Sequence, residues 1–476
     1  MGLNITSIAT QQGGLANYNY ADEIYEIRLN DPKEGLVIPA ACIESLEIDE
    51  NMFSLLPTFK LHIIDKGAYF TGFNVKIGDS IFFKITPNIT DESEEPTPYI
   101  NAEYCIQSIN CLPDVANGIY DYTFVGIYNA QSYLNEIFTY PKTTETSFIQ
   151  RDNKTSDEAI REVLDDTTLK LVTHCEPTDN SLWINCNDTR SKFVDKIIDH
   201  AWIDINDAPL LYTDLNGQTH YTSIKTLSEQ KKLANFENSK YYVDKLNPDV
   251  STDLTMLYGD VNFLNAGGPI LNQGGYTIKE SYYTPYNLPG IVDTDIELAD
   301  INFSDMIEDL LVTVDDVSTS DLVTSQLMDG LTKGKYRIAT YSQDEPYLAS
   351  RSNKTPSQMN KITNNLYAGI HFKDYHNHYD LAPKHNEMIR RSFFQNFANM
   401  LVDVHRLPNE FRNNICRPVL GDKIYVDFSN SEGIDKIHSG NYIICGIKHC
   451  FNKYNAYTMQ MKVVTDGTFG KGSLEQ

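Results

Sequence analysis

The chain has 476 residues, room for about three domains at roughly 150 residues each. Its 41% apolar and 11% aromatic content excludes a disordered chain. The formal net charge of −26 excludes a surface built to hold nucleic acid or an anionic membrane, since both need clustered Lys and Arg.

The thirty tyrosines, with abundant Ile and Thr, favour half-buried strands, and frequent Asn and Asp favour the turns between them. From Tyr20 to Tyr133 the pattern predicts strands almost throughout. Tyr25, Ile27 and Leu29 alternate with Glu26 and Arg28. Phe59–Ile64, Ser80–Ile85 and Tyr122–Tyr128 are β-branched and aromatic. Turn-forming clusters separate them at Asp65-Lys66-Gly67, Ile77-Gly78-Asp79 and Asn117-Gly118.

The period then changes. Thr155-Ser156-Asp157-Glu158 reads as a capping box opening a helix that carries Ile160, Val163 and Leu164. A second helix is predicted from about Thr189, with Phe193, Val194, Ile197, Ile198, Ala201 and Trp202 on one face. Pro209–Tyr212 and His220–Ile224 then form a hairpin around Asp214-Leu215-Asn216-Gly217, whose Asn-Gly supplies two residues tolerant of positive φ. Asn262–Asn287, rich in Gly, Asn and Tyr, reads as loop. Asp305–Leu331 carries helical patterning, and Pro356–His385 is polar without a clear element. His385–His405 reads as a helix through Met388, Phe393, Phe394, Phe397, Met400, Leu401 and Val404, after which strands return until Val464.

Two distant segments match. Val75–Phe83 (VKIGDSIFF) resembles Pro418–Val426 (PVLGDKIYV). Tyr104–Ile109 resembles Tyr442–Ile447, and Tyr122-Thr123-Phe124 resembles Tyr457-Thr458-Met459. The order is kept while the gaps differ, as loops allow. Each set is a Gly-Asp turn leading into a strand and then a strand pair, which predicts two small β-barrels of one fold.

Together, the Phe193–Trp202 helix with its following hairpin, and the run Gly421–Ile424, Ser439–Ile444, Lys448-His449 and Tyr457-Thr458, resemble the baseplate hub proteins of phage tails. The resemblance spans both ends and the middle of the chain. It leaves about 267–384 without a counterpart. It implies a homotrimer in which two barrels per subunit give pseudo-sixfold symmetry. That ring would join the tail tube to a central spike around the DNA channel. The implied partners are a tail spike protein, tail tube or distal tail proteins, and a tape measure protein. The implied setting is the tail baseplate of a virion assembled in the host cytoplasm, and an acidic chain suits a channel that DNA must pass without sticking.

The expected fold class is therefore α+β and β-dominated. The first barrel is placed at 1–150, a helix-helix-hairpin module at 151–235, strands and a mixed insertion at 236–384, and a helix with the second barrel at 385–476. The alternatives are a spike-ring component of a secretion or contractile injection system, and a tail-associated cell-wall hydrolase.

No catalytic, cofactor or metal residue is assigned. His371, His376, His378 and His385 lie near Asp374 and Asp380, but on a polar stretch with nothing to converge them. His174–Cys175 and His449–Cys450 are sequence neighbours, and strand neighbours point to opposite faces. Gly267-Gly268 and Gly274-Gly275 lack the order of a phosphate loop. Cys42, Cys105, Cys111, Cys175, Cys186, Cys416, Cys445 and Cys450 form no CxxC pair, and most sit in apolar runs, which predicts reduced thiols. No stretch of 18 apolar residues suggests a membrane span, and Met1–Gln12 is too polar for a signal core.

Overall fold

The computed structural model describes residues 23–66, 75–87, 98–114, 116–130, 133–140, 153–185, 187–204, 207–238, 255–265, 294–296, 336–338, 382–393, 396–403, 417–430, 433–434, 438–452 and 457–465. Strands dominate these residues, and fourteen of them join in one sheet.

The first part of that sheet uses β1 (Glu23–Leu29), β2 (Leu36–Val37), β3 (Ile43–Asn51), β4 (Ser54–Lys66), β5 (Ser80–Pro87), β6 (Ile100–Asp114) and β7 (Ile119–Tyr128). They run in the order β2–β1–β5–β6–β7–β4–β3, antiparallel throughout. Alternation sets the core face: in β4, Phe59, Leu61 and Ile63 are buried while Lys60 between them is exposed. Phe59, Phe83 and Tyr104 meet edge-to-face at 5.1–5.5 Å, each pair contributing roughly 0.5–1.5 kcal/mol beyond burial. β4 runs on through Asp65 and Lys66, where the sequence predicts a turn, because both still pair with Tyr120 and Ile119 of β7.

The middle segment holds α1 (Ser156–Leu164), β8 (Lys170–Thr173), α2 (Arg190–His200), β9 (Pro209–Thr213), β10 (Gln218–Ser223) and α3 (Ile224–Glu229). The capping box forms, with the Glu158 carboxylate accepting from the Thr155 N–H at 3.2 Å. The predicted stripe of α2, together with Ala201 and Trp202 just beyond it, is buried. β9 and β10 form the expected antiparallel pair, and β8, which the pattern does not predict, adds in parallel. The turn differs from expectation: only Gly217 takes positive φ, at +77°. Asp214 does the rest, its Oδ1 accepting from the Asn216 and Gln218 N–H groups at 2.8 and 2.9 Å. Ile224 starts α3 rather than ending the strand, because Ser223 caps it by accepting from the Thr226 N–H at 3.1 Å.

The second part uses β11 (Asn235–Asn238), β12 (Thr255–Tyr258) and β13 (Val261–Asn265), then β16 (Asn396–Asp403), β17 (Lys423–Asp427), β20 (Gly440–Asn452) and β21 (Thr458–Thr465). Two short pairs stand apart from it: β14 (Thr294–Ile296) with β15 (Tyr336–Ile338), and β18 (Ser429–Asn430) with β19 (Gly433–Ile434). Two expectations fail here. Asn262–Asn265 is strand, not loop. Of the helix predicted over His385–His405, only the part up to Phe393 is helix, in α4 (Ala382–Phe393), and Asn396–Asp403 is β16. Ala398, Met400 and Val402 are buried while Asn399 and Leu401 are exposed, so the period is two there and the helical spacing of Phe393, Phe397 and Met400 is coincidental. The Asp305–Leu331 pattern lies outside the described residues.

The internal repeat is visible bond by bond. Gly78 (φ +95°) donates to the Ile106 carbonyl at 2.8 Å, and Gly421 (φ +90°) donates to Ile444 at 2.8 Å. Asp79 Oδ2 accepts from the Lys76 N–H at 2.8 Å, as Asp422 Oδ2 does from Val419 at 2.8 Å. The β6–β7 pairing is interrupted between Ile106 and Ser108, and the β20–β21 pairing between Ile444 and Gly446, the same place in each. β3–β4–β7–β6–β5 thus corresponds to β13–β16–β21–β20–β17. The third sequence match is two residues out of register: Phe124 faces Ile109, and its counterpart facing Ile447 is Met461, not Met459.

The two turns differ in what covers them. Around Gly78 an added Cβ would meet open space, whereas at Gly421 it would strike the Tyr212 hydroxyl, with Leu227 at 3.2 Å and Met52 at 3.4 Å. Gly78→Ala is therefore expected to cost about 1–2 kcal/mol from its backbone alone, and Gly421→Ala about 2–4 kcal/mol. Equal losses in denaturant titrations would contradict this covering.

Candidate functional site

The two repeats meet where β3 pairs antiparallel with the second half of β20, from Asn51↔Gly446 to Ser45↔Asn452. On the core side, alternation places Leu46, Ile48 and Glu50 in one row, and Ile447, His449 and Phe451 in the other. Glu50 is thus a carboxyl on an apolar face. Its Oε1 lies 3.0 Å from His449 Nε2, and His449 Nδ1 lies 2.6 Å from the Tyr457 hydroxyl. Arg417 completes the cluster, its Nη2 donating to the Tyr457 hydroxyl at 3.3 Å, Nη1 donating to the Tyr99 carbonyl, and its guanidinium 5.1 Å from the Tyr99 ring centre.

Burial raises the Glu50 carboxyl to about 8, with Arg417 opposing, Asp214 adding to the rise and a backbone hydrogen bond from Leu215 opposing. Burial holds His449 well below its usual range, and Arg417 lowers it further. The pair therefore sits in the interior uncharged, a carboxyl bonded to an imidazole rather than two full charges. The middle segment closes over this junction. Tyr212 donates to the Leu420 carbonyl at 3.1 Å, the Gln230 amide donates to the Gly421 carbonyl, and the Gly217 turn lies against the Tyr128 hydroxyl. The cluster joins three segments of chain, and its residues offer no open nucleophile.

The opposite face of the junction is solvent-facing and mixed in charge. Lys448 Nζ lies 2.8 Å from Glu47, and His62 Nε2 lies 2.8 Å from Asp121. Lys462 lies 4.1 Å from the Phe397 ring centre and 5.2 Å from that of the exposed Phe53. Along this face Glu47, Asp49 and Asp121 are interspersed with Lys60, Lys448 and Lys462, so the acidity of the whole chain is not concentrated here.

The residues weighed for chemistry fall elsewhere. His371, His376, His378, Asp374, Asp380 and the two Gly pairs lie outside the described residues, and His385 lies in α4. His174 stacks on His220, with Nε2 2.9 Å from its Nδ1, and not on a thiol. Burial, with Asp207, Asp157 and Asp179 nearby, pushes Cys175 up to about 12, far from a thiolate. His449 is buried while the Cys450 sulfur turns to the Lys448 carbonyl at 3.9 Å. Cys105, Cys111, Cys175, Cys445 and Cys450 carry free thiols. Among the described residues no group of His, Cys, Asp and Glu is arranged to hold a metal ion, and no helix is long and apolar enough to cross a membrane. Sequence reasoning missed Glu50, Tyr99, Arg417 and Tyr457. For Glu50 a signal existed, a charged residue that continues the every-second-residue row of Leu46 and Ile48 on the apolar side of a strand.

The chain is similar in structure to phage tail proteins and to a secretion-system protein. The 43 kDa tail protein of prophage MuSo2 from Shewanella oneidensis matches at a TM-score of 0.48 and 12% identity, over 93% of this chain and 97% of that one. A tail protein from Neisseria meningitidis MC58 matches at 0.42 and 10%, over 93% and 96%. The E. coli c3393 protein, a type VI secretion component described as structurally similar to the T4 tail proteins gp27 and gp5, matches at 0.38 and 7%, over 89% and 73%. No family model and no curated protein matches the sequence.

Proposed function

We propose that the chain is a structural hub protein of a phage tail baseplate and not an enzyme. In this reading the two sheet units are small barrels flanking a helix-hairpin module, and three copies close a ring of pseudo-sixfold symmetry. The ring joins the tail tube to a central spike, with distal tail and tape measure proteins as further neighbours, and DNA leaves through it during ejection.

One observation carries the reading: a single chain holds the same sheet unit twice, with the same Gly-Asp turn and the same bulge, joined strand to strand through β3 and β20. Three such chains present six quasi-equivalent units, which is how a threefold spike meets a sixfold tube. The mixed-charge face suits the same role, since a cationic lining would hold DNA through counterion release. Light scattering on the purified chain, with a spike partner added, is expected to give a complex holding three copies of the 54.1 kDa chain beside the partner's own mass. A monomer at high concentration under those conditions would overturn the ring. Degradation of purified cell wall by the chain would overturn the non-enzymatic assignment.

A further inference from the structure

His174 follows directly on β8, and His220 lies beside it on β10. Their ring centres are 5.2 Å apart and their planes 13° from parallel, with His174 Nε2 2.9 Å from His220 Nδ1. A hydrogen bond between two imidazole nitrogens needs one N–H and one bare nitrogen. His220 Nε2 lies 3.5 Å from Asp214 Oδ2, so its proton sits there. Its Nδ1 is therefore bare and accepts from the Nε2–H of His174. A first added proton enters at Nδ1 of His174, on the exposed ring, and leaves this bond intact. A second has only Nδ1 of His220 to go to. Two N–H groups then face each other across 2.9 Å, and the contact must open.

We propose that His174 and His220 form an acid-sensitive latch on β8, closed with at most one added proton and opened by the second. β8 is an edge strand, paired only with β10 among the described strands, and His174 extends its ladder by donating its N–H to the Tyr221 carbonyl at 2.8 Å. On the other side of His220, Asp214 gains from the same proton, because a charged imidazole strengthens its bond to a carboxylate. Asp214 holds the β9–β10 turn, whose Gly217 lies against Tyr128. Acid thus frees the outer strand while the hairpin stays seated on the junction. Other groups surround the pair. Tyr212 stacks on His220 at 5.2 Å and is itself approached by Asp422 and Glu50. Lys170 lies on β8 opposite Gln218, and Asp157 and Arg161 of α1 reach Thr173. Asp422 titrates in the same range, at about 6, but touches the pair only through Tyr212. Burial and the neighbouring His220 hold His174 below its usual range, so the latch contributes above 6.5 and is lost as pH falls below it.

Hydrogen exchange read by mass spectrometry on the full chain tests this at pH 7 and pH 5, with rates corrected for the intrinsic effect of pH. Protection of the peptide covering 171–174 is expected to fall about tenfold in acid. An amide both donates and accepts, so His174→Gln keeps a bond to His220 at either charge, and its protection is expected to hold at both pH values. His220→Gln gives the same expectation from the other side of the bond. Equal protection of the parent chain at pH 7 and pH 5 would overturn the latch. So would a fall in either variant as large as the parent's, since the response would then belong to Asp422 or His449.

Discussion

Gly126→Val is expected to destabilise the fold by about 3 kcal/mol or more, and adding Phe59→Ala is expected to recover only the part that the Phe59 ring causes, the clash with the Cys105 carbonyl remaining. Gly126 faces Phe59 across β4 and β7 and Ile106 across β6 and β7. Any Cβ at this position runs into the Cys105 carbonyl and the Phe59 ring. Neither yields readily: Cys105 is held in the β6 ladder, and Phe59 is buried against Phe83 and Tyr104. The second unit solves the same place in reverse, with Ala398 facing Val463 where the first has Phe59 facing Gly126. The volume is conserved across the pair while its two halves are exchanged. Denaturant midpoints for the single and double variants, at unchanged slope, would measure this. No recovery in the double variant would show that the two units do not share this packing site.

Stability is expected to decline by roughly 2 kcal/mol between pH 6.5 and 8 through Glu50, and Glu50→Gln is expected to remove that part of the decline. The unfolded carboxyl ionises near its ordinary 4.5, whereas the folded one keeps its proton to about 8. Its contribution is therefore complete below 4.5 and lost as pH rises to 8. His449 acts in the opposite sense. It is held neutral in the fold, so its contribution is present above 6.5 and lost as pH falls below it. Between 4.5 and 6.5 the two slopes oppose each other; above 6.5 only that of Glu50 remains. Asp422, raised by burial to about 6, and the other buried carboxyls affect both proteins alike, so the difference profile isolates Glu50. Parallel profiles of the two proteins from pH 6.5 to 8 would contradict the neutral pair.

Much of the fold was legible because the signals were local. Thr155 to Glu158 caps its helix within four residues, and the α2 stripe repeats at helical spacing. Gly78 and Gly421 each mark a turn that only a residue free of a Cβ adopts at low cost. Where two periods overlapped, local reading failed. Phe393, Phe397 and Met400 fit a helix as well as a strand, and only pairing with β13 and β21 makes Asn396–Asp403 a strand. The Tyr122/Tyr457 match was misplaced because shared aromatics carry less register information than a continuous hydrogen-bond ladder.

The sequence by itself determined the β-dominated class, the helix caps, the two Gly-Asp turns and the existence of a duplication, because each depends on neighbours along the chain. Only the tertiary structure decided that the two units join through β3 and β20. It also decided that Glu50 finds His449, 399 residues away, and that β6 beyond Ser108 and the outer edge of β13 have no partner among the described strands. Strand pairing is made by backbone groups that every residue carries. Which edges meet is therefore set by the packing of the whole sheet and not by any side chain that could be recognised in advance.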